Sequence, residues 1–107
     1  MHLPNNSVLL GGRVVGEPDQ RELPNGKPVY FLRLECDRHP QRSEDQAPRA
    51  DRFDVLMLGR VSATVASHLH PGRTVLVQGS LESECWEEGE GSEREEVSVL
   101  AEQVSLL

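Results

Sequence analysis

Val29 to Cys36 reads VYFLRLEC, with Tyr30, Leu32, Leu34 and Cys36 on one side of an extended chain and Arg33 and Glu35 on the other. A period of two residues with one apolar side is met only by a strand whose one face is covered. A single strand cannot cover its own face, so the rest of the chain must supply the sheet that closes over it. Four further segments qualify. Val8 to Val15 (VLLGGRVV) is a strand with paired glycines, the kind of place where a strand coils sharply or bulges. Phe53 to Leu58 (FDVLML) is nearly continuous in apolar residues and so is expected to be buried. Thr74 to Trp86 is a long strand interrupted by Gly79, and Val97 to Leu107 returns as a fifth.

The connections differ in character. Leu23-Pro24-Asn25-Gly26 carries the Asn-Gly signal of a hairpin. Residues 37–52 have no apolar period and are rich in Pro, Arg, Gln and acid, which predicts a long flexible loop. After Gly59, Val61, Val65 and Leu69 fall at i, i+4 and i+8, the stripe of one short helix closed by His70-Pro71-Gly72. Residues 84–96 (ECWEEGEGSEREE) form an acidic hairpin that carries the sole tryptophan, Trp86, near its tip. Five strands with one short helix between the third and fourth is the layout of an OB-fold, an all-β Greek-key barrel, here a single domain over 1–107. Gly11, Gly12 and Gly79 suit the bends that such barrels need.

The formal charge of −7 is local. Between Glu82 and Glu102 stand nine glutamates and one arginine, leaving ten Lys/Arg and nine Asp/Glu elsewhere. A solvated face that keeps a β-protein soluble accounts for such a run without any partner. No apolar run approaches the length of a membrane helix, and the start MHLPNNSV has neither the basic end nor the apolar core of a signal peptide. The expectation is a soluble cytoplasmic chain, or an organellar one if a transit peptide has been removed. Two cysteines are too few for a disulfide framework. Cys36-x-x-His39 is a weak metal signal alone, and no Ser/His/Asp arrangement, phosphate-cradling loop or carboxylate pair is readable. Neither an enzyme, a metal site nor a cofactor is expected.

NSVLLGGRVVGEPDQRELPNGKPV resembles the start of the bacterial single-stranded DNA-binding proteins, where an apolar strand leads to Asp-Pro-Glu-x-Arg and then Pro-Asn-Gly or Pro-Ser-Gly. LGRVSATVASHLHPGRTVLVQGSL is similar to their Phe-Gly-Lys-Leu-Ala helix and the Val-x-Val-Glu-Gly-x-Leu strand after it. The resemblance runs from Asn6 to about Leu106. The ending VLVQGSLES…VSVLAEQVSLL also resembles the tail-less primosomal replication protein N type, which like this chain stops at the last strand. What this implies is a replication or repair protein that holds single-stranded DNA and forms a homodimer or homotetramer through the first strand. The tail with which typical members recruit repair enzymes is not expected here.

Such proteins stack bases on aromatic rings and follow phosphates with cations. Of the family's stacking positions, three fall here on Pro40, Arg52 and Leu58, and only Trp86 keeps its ring. Tyr30 or Phe31, together with Phe53, offers partial substitutes, with the core as the competing role for each. Arg21, Arg60 and Arg94 match the family's basic positions, and Arg13 stands near the first strand's bend. The loop adds Arg38, Arg42, Arg49 and Arg52, nearly cancelled by Asp37, Glu44, Asp45 and Asp51. The nucleic-acid site expected from sequence is therefore Trp86 with Arg13, Arg21, Arg52, Arg60 and Arg94. Its binding should be weak and salt-sensitive, since the glutamate hairpin repels a polyanion. The competing reading is a divergent member that contacts a protein through the Trp86 hairpin.

Overall fold

The structure, a computed structural model, describes residues 5–39, 49–58 and 65–107. Five strands, β1 (Val8–Glu22), β2 (Pro28–Asp37), β3 (Ala50–Leu58), β4 (Thr74–Glu87) and β5 (Glu93–Leu106), close into a barrel in the order β1-β2-β3-β5-β4. Neighbours pair antiparallel except β3 and β5, which meet in parallel over Val55–Val99, Leu56–Leu100 and Met57–Ala101. The expected five-stranded OB-type barrel is the observed fold.

Alternation decides which side chains fill it. Leu32, Leu34, Val55, Met57, Val75, Val77 and Val99 are each 3% exposed or less and form the core with Val14, Cys36, Leu69 and Ala101. Full burial of a Val or Leu is worth about 1.5–3 kcal/mol, so this ring of inward residues is the main force that holds the strands in register. Of the helix expected over 61–69, residues 61–64 lie outside the described residues. Val65 and Ala66 are helical, Val65 packs against the core, and Leu69 is fully buried.

Three local readings need correction. The first strand runs well beyond Val15 to Glu22. Its irregularity lies between Val15 and Asp19, where Gly16 takes φ +77°, and not at Gly11-Gly12, which pair in register with Leu76 and Val75. Gly12 is small because it must be: a Cβ there would meet the Glu35 carbonyl and, at 2.9 Å, Cys36 Sγ. Second, the ladder enters the expected loop from both sides, pairing Asp37 with Ala50, Cys36 with Asp51 and Glu35 with Arg52. Arg52 is thus a strand residue, and β3 begins at Ala50. Third, the Leu23–Gly26 turn is not the two-residue type that Asn-Gly favours, because among the described residues no non-glycine residue has positive φ. Gly26 N–H donates to the Leu23 carbonyl at 2.8 Å, and Gly26 alone is left-handed at φ +82°. Pro24 supplies the fixed φ that the second position of such a turn favours.

Gly79 behaves as the break in β4 suggested. The β4–β5 register shifts between Gln78 and Gly79, and a Cβ at Gly79 would run into the Leu100 carbonyl. Gly79→Ala should therefore lower stability by about 1–3 kcal/mol in urea unfolding, as overpacking does. Gly11→Ala should move it by less than about 0.5 kcal/mol, because the added Cβ meets only Leu76 Cδ1 at 3.6 Å. Equal effects at the two positions would contradict the register.

Candidate nucleic-acid interface

The outward face of β1, β2 and β3 is read in rows across the strands. From one end these are Arg13–Glu35–Arg52, Val15–Arg33–Asp54, Asp19–Phe31–Leu56 and Arg21–Val29–Leu58. Across from this face stands the β4–β5 hairpin, whose pairs Glu82–Ser98, Glu84–Glu96 and Trp86–Arg94 lie on one side by alternation. A groove of about 570 Å³ runs between the two, with Val15, Leu23, Phe31 and Leu56 among its apolar lining. Glu82, Glu84, Glu96 and Ser98 form its hairpin wall.

Trp86 sits beyond Glu84 on that wall and is 38% exposed, next to the hairpin turn closed by Glu88 N–H to the Ser92 carbonyl at 2.9 Å. Tyr30 packs on the core, whereas Phe31 faces the groove at 37% exposure. The Arg21 guanidinium lies over its ring, 4.8 Å from the centroid. Phe53 pairs with Leu34 and so takes the opposite side of the sheet from Arg52. Pro40, Arg42 and Arg60 lie outside the described residues.

Every described cation among the candidates has a carboxylate partner. Arg13 reaches Glu35 Oε1 at 3.1 Å and Asp37 Oδ1 at 2.9 Å, and Arg52 Nε reaches the other Glu35 oxygen at 3.2 Å. Arg21 Nε meets Asp19 at 3.0 Å, and Arg94 Nε meets Glu88 at 3.0 Å. Arg38, from the expected loop, forks onto Asp51 at 2.8 and 2.9 Å. These bonds leave a trace in the titration of the groups. The Arg13 bond, then the Arg52 bond, hold Glu35 below the usual carboxylate range, and Arg13 does the same to Asp37. In return Arg13 is held more firmly protonated, first by Asp37 and then by Glu35.

The fold therefore gathers the candidates only in part. Arg13 and Arg52 share one end of the outer face, Arg21 stands at the other end of it, beyond the register shift of β1, and Trp86 with Arg94 is on the opposing hairpin. In the sequence the repulsive charge is concentrated on the hairpin and its base. Folding adds Glu17, Asp19 and Asp54 to the groove, so six carboxylates face two guanidiniums, Arg21 and Arg33. Arg33 and Asp54 themselves pair at 3.5 Å. The signal for Phe31, Arg33 and Asp54 was present in the alternation of β2 and β3, but nothing local said that their outward face would be opposed by the hairpin.

The Arg13–Glu35–Arg52 cluster carries a pH signature. Glu35 and Asp37 titrate lower in the folded chain than in the unfolded one. Their contribution is thus present above the ordinary carboxylate range and is lost as pH falls from about 5 through their lowered folded-state values. Urea midpoints measured between pH 7 and pH 3 should fall with acidification, and Arg13→Ala should flatten that fall. A variant with the full acid slope of the parent would show that the cluster is not what titrates.

The Single-strand binding protein family model matches residues 5–107. The "Single-stranded DNA-binding protein" of Thermotoga maritima is 32% identical over 103 residues, covering 95% of this chain and 73% of that one. Its namesake from Aquifex aeolicus is 33% identical over 103 residues, with 95% and 69% covered. Among solved structures, "Plasmodium falciparum SSB complex with ssDNA" superposes with a TM-score of 0.85 at 21% identity, covering 100% of this chain and 98% of that one, a likeness of fold. With the five-stranded barrel and the match along nearly its whole length in agreement, the chain belongs to the single-strand binding protein family.

Proposed function

We propose that this chain binds single-stranded DNA without sequence preference, weakly and with strong dependence on salt, in a replication or repair role in the cytoplasm. The observation that carries the reading is the family match over 5–107 taken with a half-exposed Trp86 opposite Arg94 on the free hairpin. Trp86 stacks a base, while Arg94, Arg21, Arg13 and Arg52 meet phosphates, joined by Arg60. Weakness follows from the ion pairs. A phosphate must displace a carboxylate at each of the four described arginines, and neighbouring glutamates oppose its arrival.

A homodimer through β1, or a tetramer built from it, completes the proposal. Among the described residues β1 pairs with β4 from Val8 and with β2 only from Arg13, so one edge of Val8–Gly12 is left open, and Leu9 beside it is 64% exposed. An open apolar edge is a place where another chain adds. Leu9→Glu should shift the chain toward monomer in light scattering coupled to gel filtration. An unchanged mass would move the interface elsewhere.

The DNA reading is tested by quenching of the sole indole with oligo-dT at 20 mM and then 200 mM salt. Quenching should occur and should weaken as salt rises. Trp86→Ala, followed by anisotropy of a labelled oligonucleotide, should lose about 5- to 150-fold in affinity, the 1–3 kcal/mol of one stacked base. Absence of binding at 20 mM salt with micromolar oligonucleotide would leave the second reading, a protein-contact module. That reading is favoured by one observation, the acid that lines the groove.

A further inference from the structure

The groove between the β2–β3 face and the hairpin is marked for a ligand of charge opposite to DNA. Its floor is apolar, with Leu23, Phe31 and Leu56. Around that floor the carboxylates outnumber the guanidiniums by four, and both guanidiniums are already paired, to Asp19 and Asp54. Glu17, Glu82, Glu84 and Glu96 have no cation partner among the described residues.

One cation already shows how the groove holds its kind. The Arg21 guanidinium lies 4.8 Å from the Phe31 centroid while its Nε reaches the Asp19 carboxylate at 3.0 Å. An aromatic face plus a carboxylate is a favourable seat for a guanidinium, since the ring's quadrupole and the anion act together. The wall opposite offers further carboxylates without a tenant. Glu82 and Glu84 are two residues apart on β4, and Glu96 pairs with Glu84 across the hairpin. The resulting spacing of about 7 Å matches every second residue of an extended peptide.

We propose that this groove docks an extended cationic segment of another protein, one in which arginine or lysine alternates with apolar residues. The cations face the hairpin wall, and the apolar side chains rest on Phe31 and Leu56. Charge complementarity carries the choice of occupant. The same field that slows a polyanion draws such a segment in and makes its association salt-sensitive. The groove adjoins the residues assigned to DNA, and the two ligands are told apart because each is followed by its own titration.

The test uses the whole chain and three labelled synthetic peptides followed by anisotropy at low salt. One alternates Arg with Leu, one has Glu in place of Arg, and one has Ser in place of Leu. The Arg-Leu peptide should bind at least 10-fold more tightly than either control. E82Q/E84Q/E96Q should reduce its binding at least 10-fold while oligo-dT binding is kept or strengthened. Should the triple variant fold poorly by circular dichroism, Glu84→Gln alone should still cost the peptide at least 3-fold. Equal binding of the Arg-Leu and Glu-Leu peptides, or full affinity in the glutamine variants, would overturn the proposal. A peptide that binds while oligo-dT does not would support this inference and remove only the DNA reading. Oligo-dT without the peptide would do the reverse.

Discussion

The parallel contact between β3 and β5 is the joint on which the molecule depends. It is only three pairs long, Val55–Val99, Leu56–Leu100 and Met57–Ala101. The outer two pairs place buried side chains inside the barrel, and the middle pair faces outward. The same short ladder therefore does two things. It closes the core, and it brings the β4–β5 hairpin across from the β2–β3 face, so that a groove exists at all. Gly79 makes the closure geometrically possible, because the bulge there lets β4 pair with β1 below it and continue as a free hairpin above.

What the groove can bind follows from how charge is distributed around it. Holding a single strand without sequence preference takes aromatic rings and a positively charged groove. Among the described residues Trp86 on the hairpin and Phe31 on the opposing sheet are exposed rings, with Phe53 exposed on the other side of that sheet. The described candidate arginines are engaged with carboxylates. Arg13, Glu35, Arg52 and Asp37 form one such cluster, and Arg21 is shared between Asp19 and Phe31. Surface ion pairs of this sort add little to stability, but they set the local field. A nucleic-acid strand meets that field as opposition, and a cationic polypeptide meets it as attraction. Family membership and groove chemistry thus pull toward different ligands, and both can be true of one surface if affinity for DNA is low.

Much of the fold was legible in the residues. The two-residue alternation of VYFLRLEC and the Gly79 break appear in the barrel at the places expected. The run FDVLML, expected to be buried, is a strand in which only Val55 and Met57 are buried while Phe53, Asp54 and Leu58 are exposed. The misreadings were local. Gly11-Gly12 carries the composition of a bulge, but the register of β1 shifts between Val15 and Asp19, and the polar composition near residue 50 hides three residues of ladder. Polar side chains do not prevent strand pairing when one face of the strand is open to water, so Asp51 and Arg52 sit in β3 without any apolar signal.

By itself, the sequence determined the strands, their inward faces, the hairpin with its tryptophan and the family to which the chain belongs. The strands, faces and hairpin rest on periodicities and spacings within ten or twenty residues, where neighbours along the chain are neighbours in space. The family rests on the resemblance along nearly the whole chain. Only the tertiary structure decided that Glu17, Asp19 and Asp54 would join Glu82, Glu84 and Glu96 around Phe31, and that each described candidate arginine would find a carboxylate. The six carboxylates come from four strands and lie as much as 79 positions apart along the chain. Their summed field is a property of barrel closure, which no local pattern encodes.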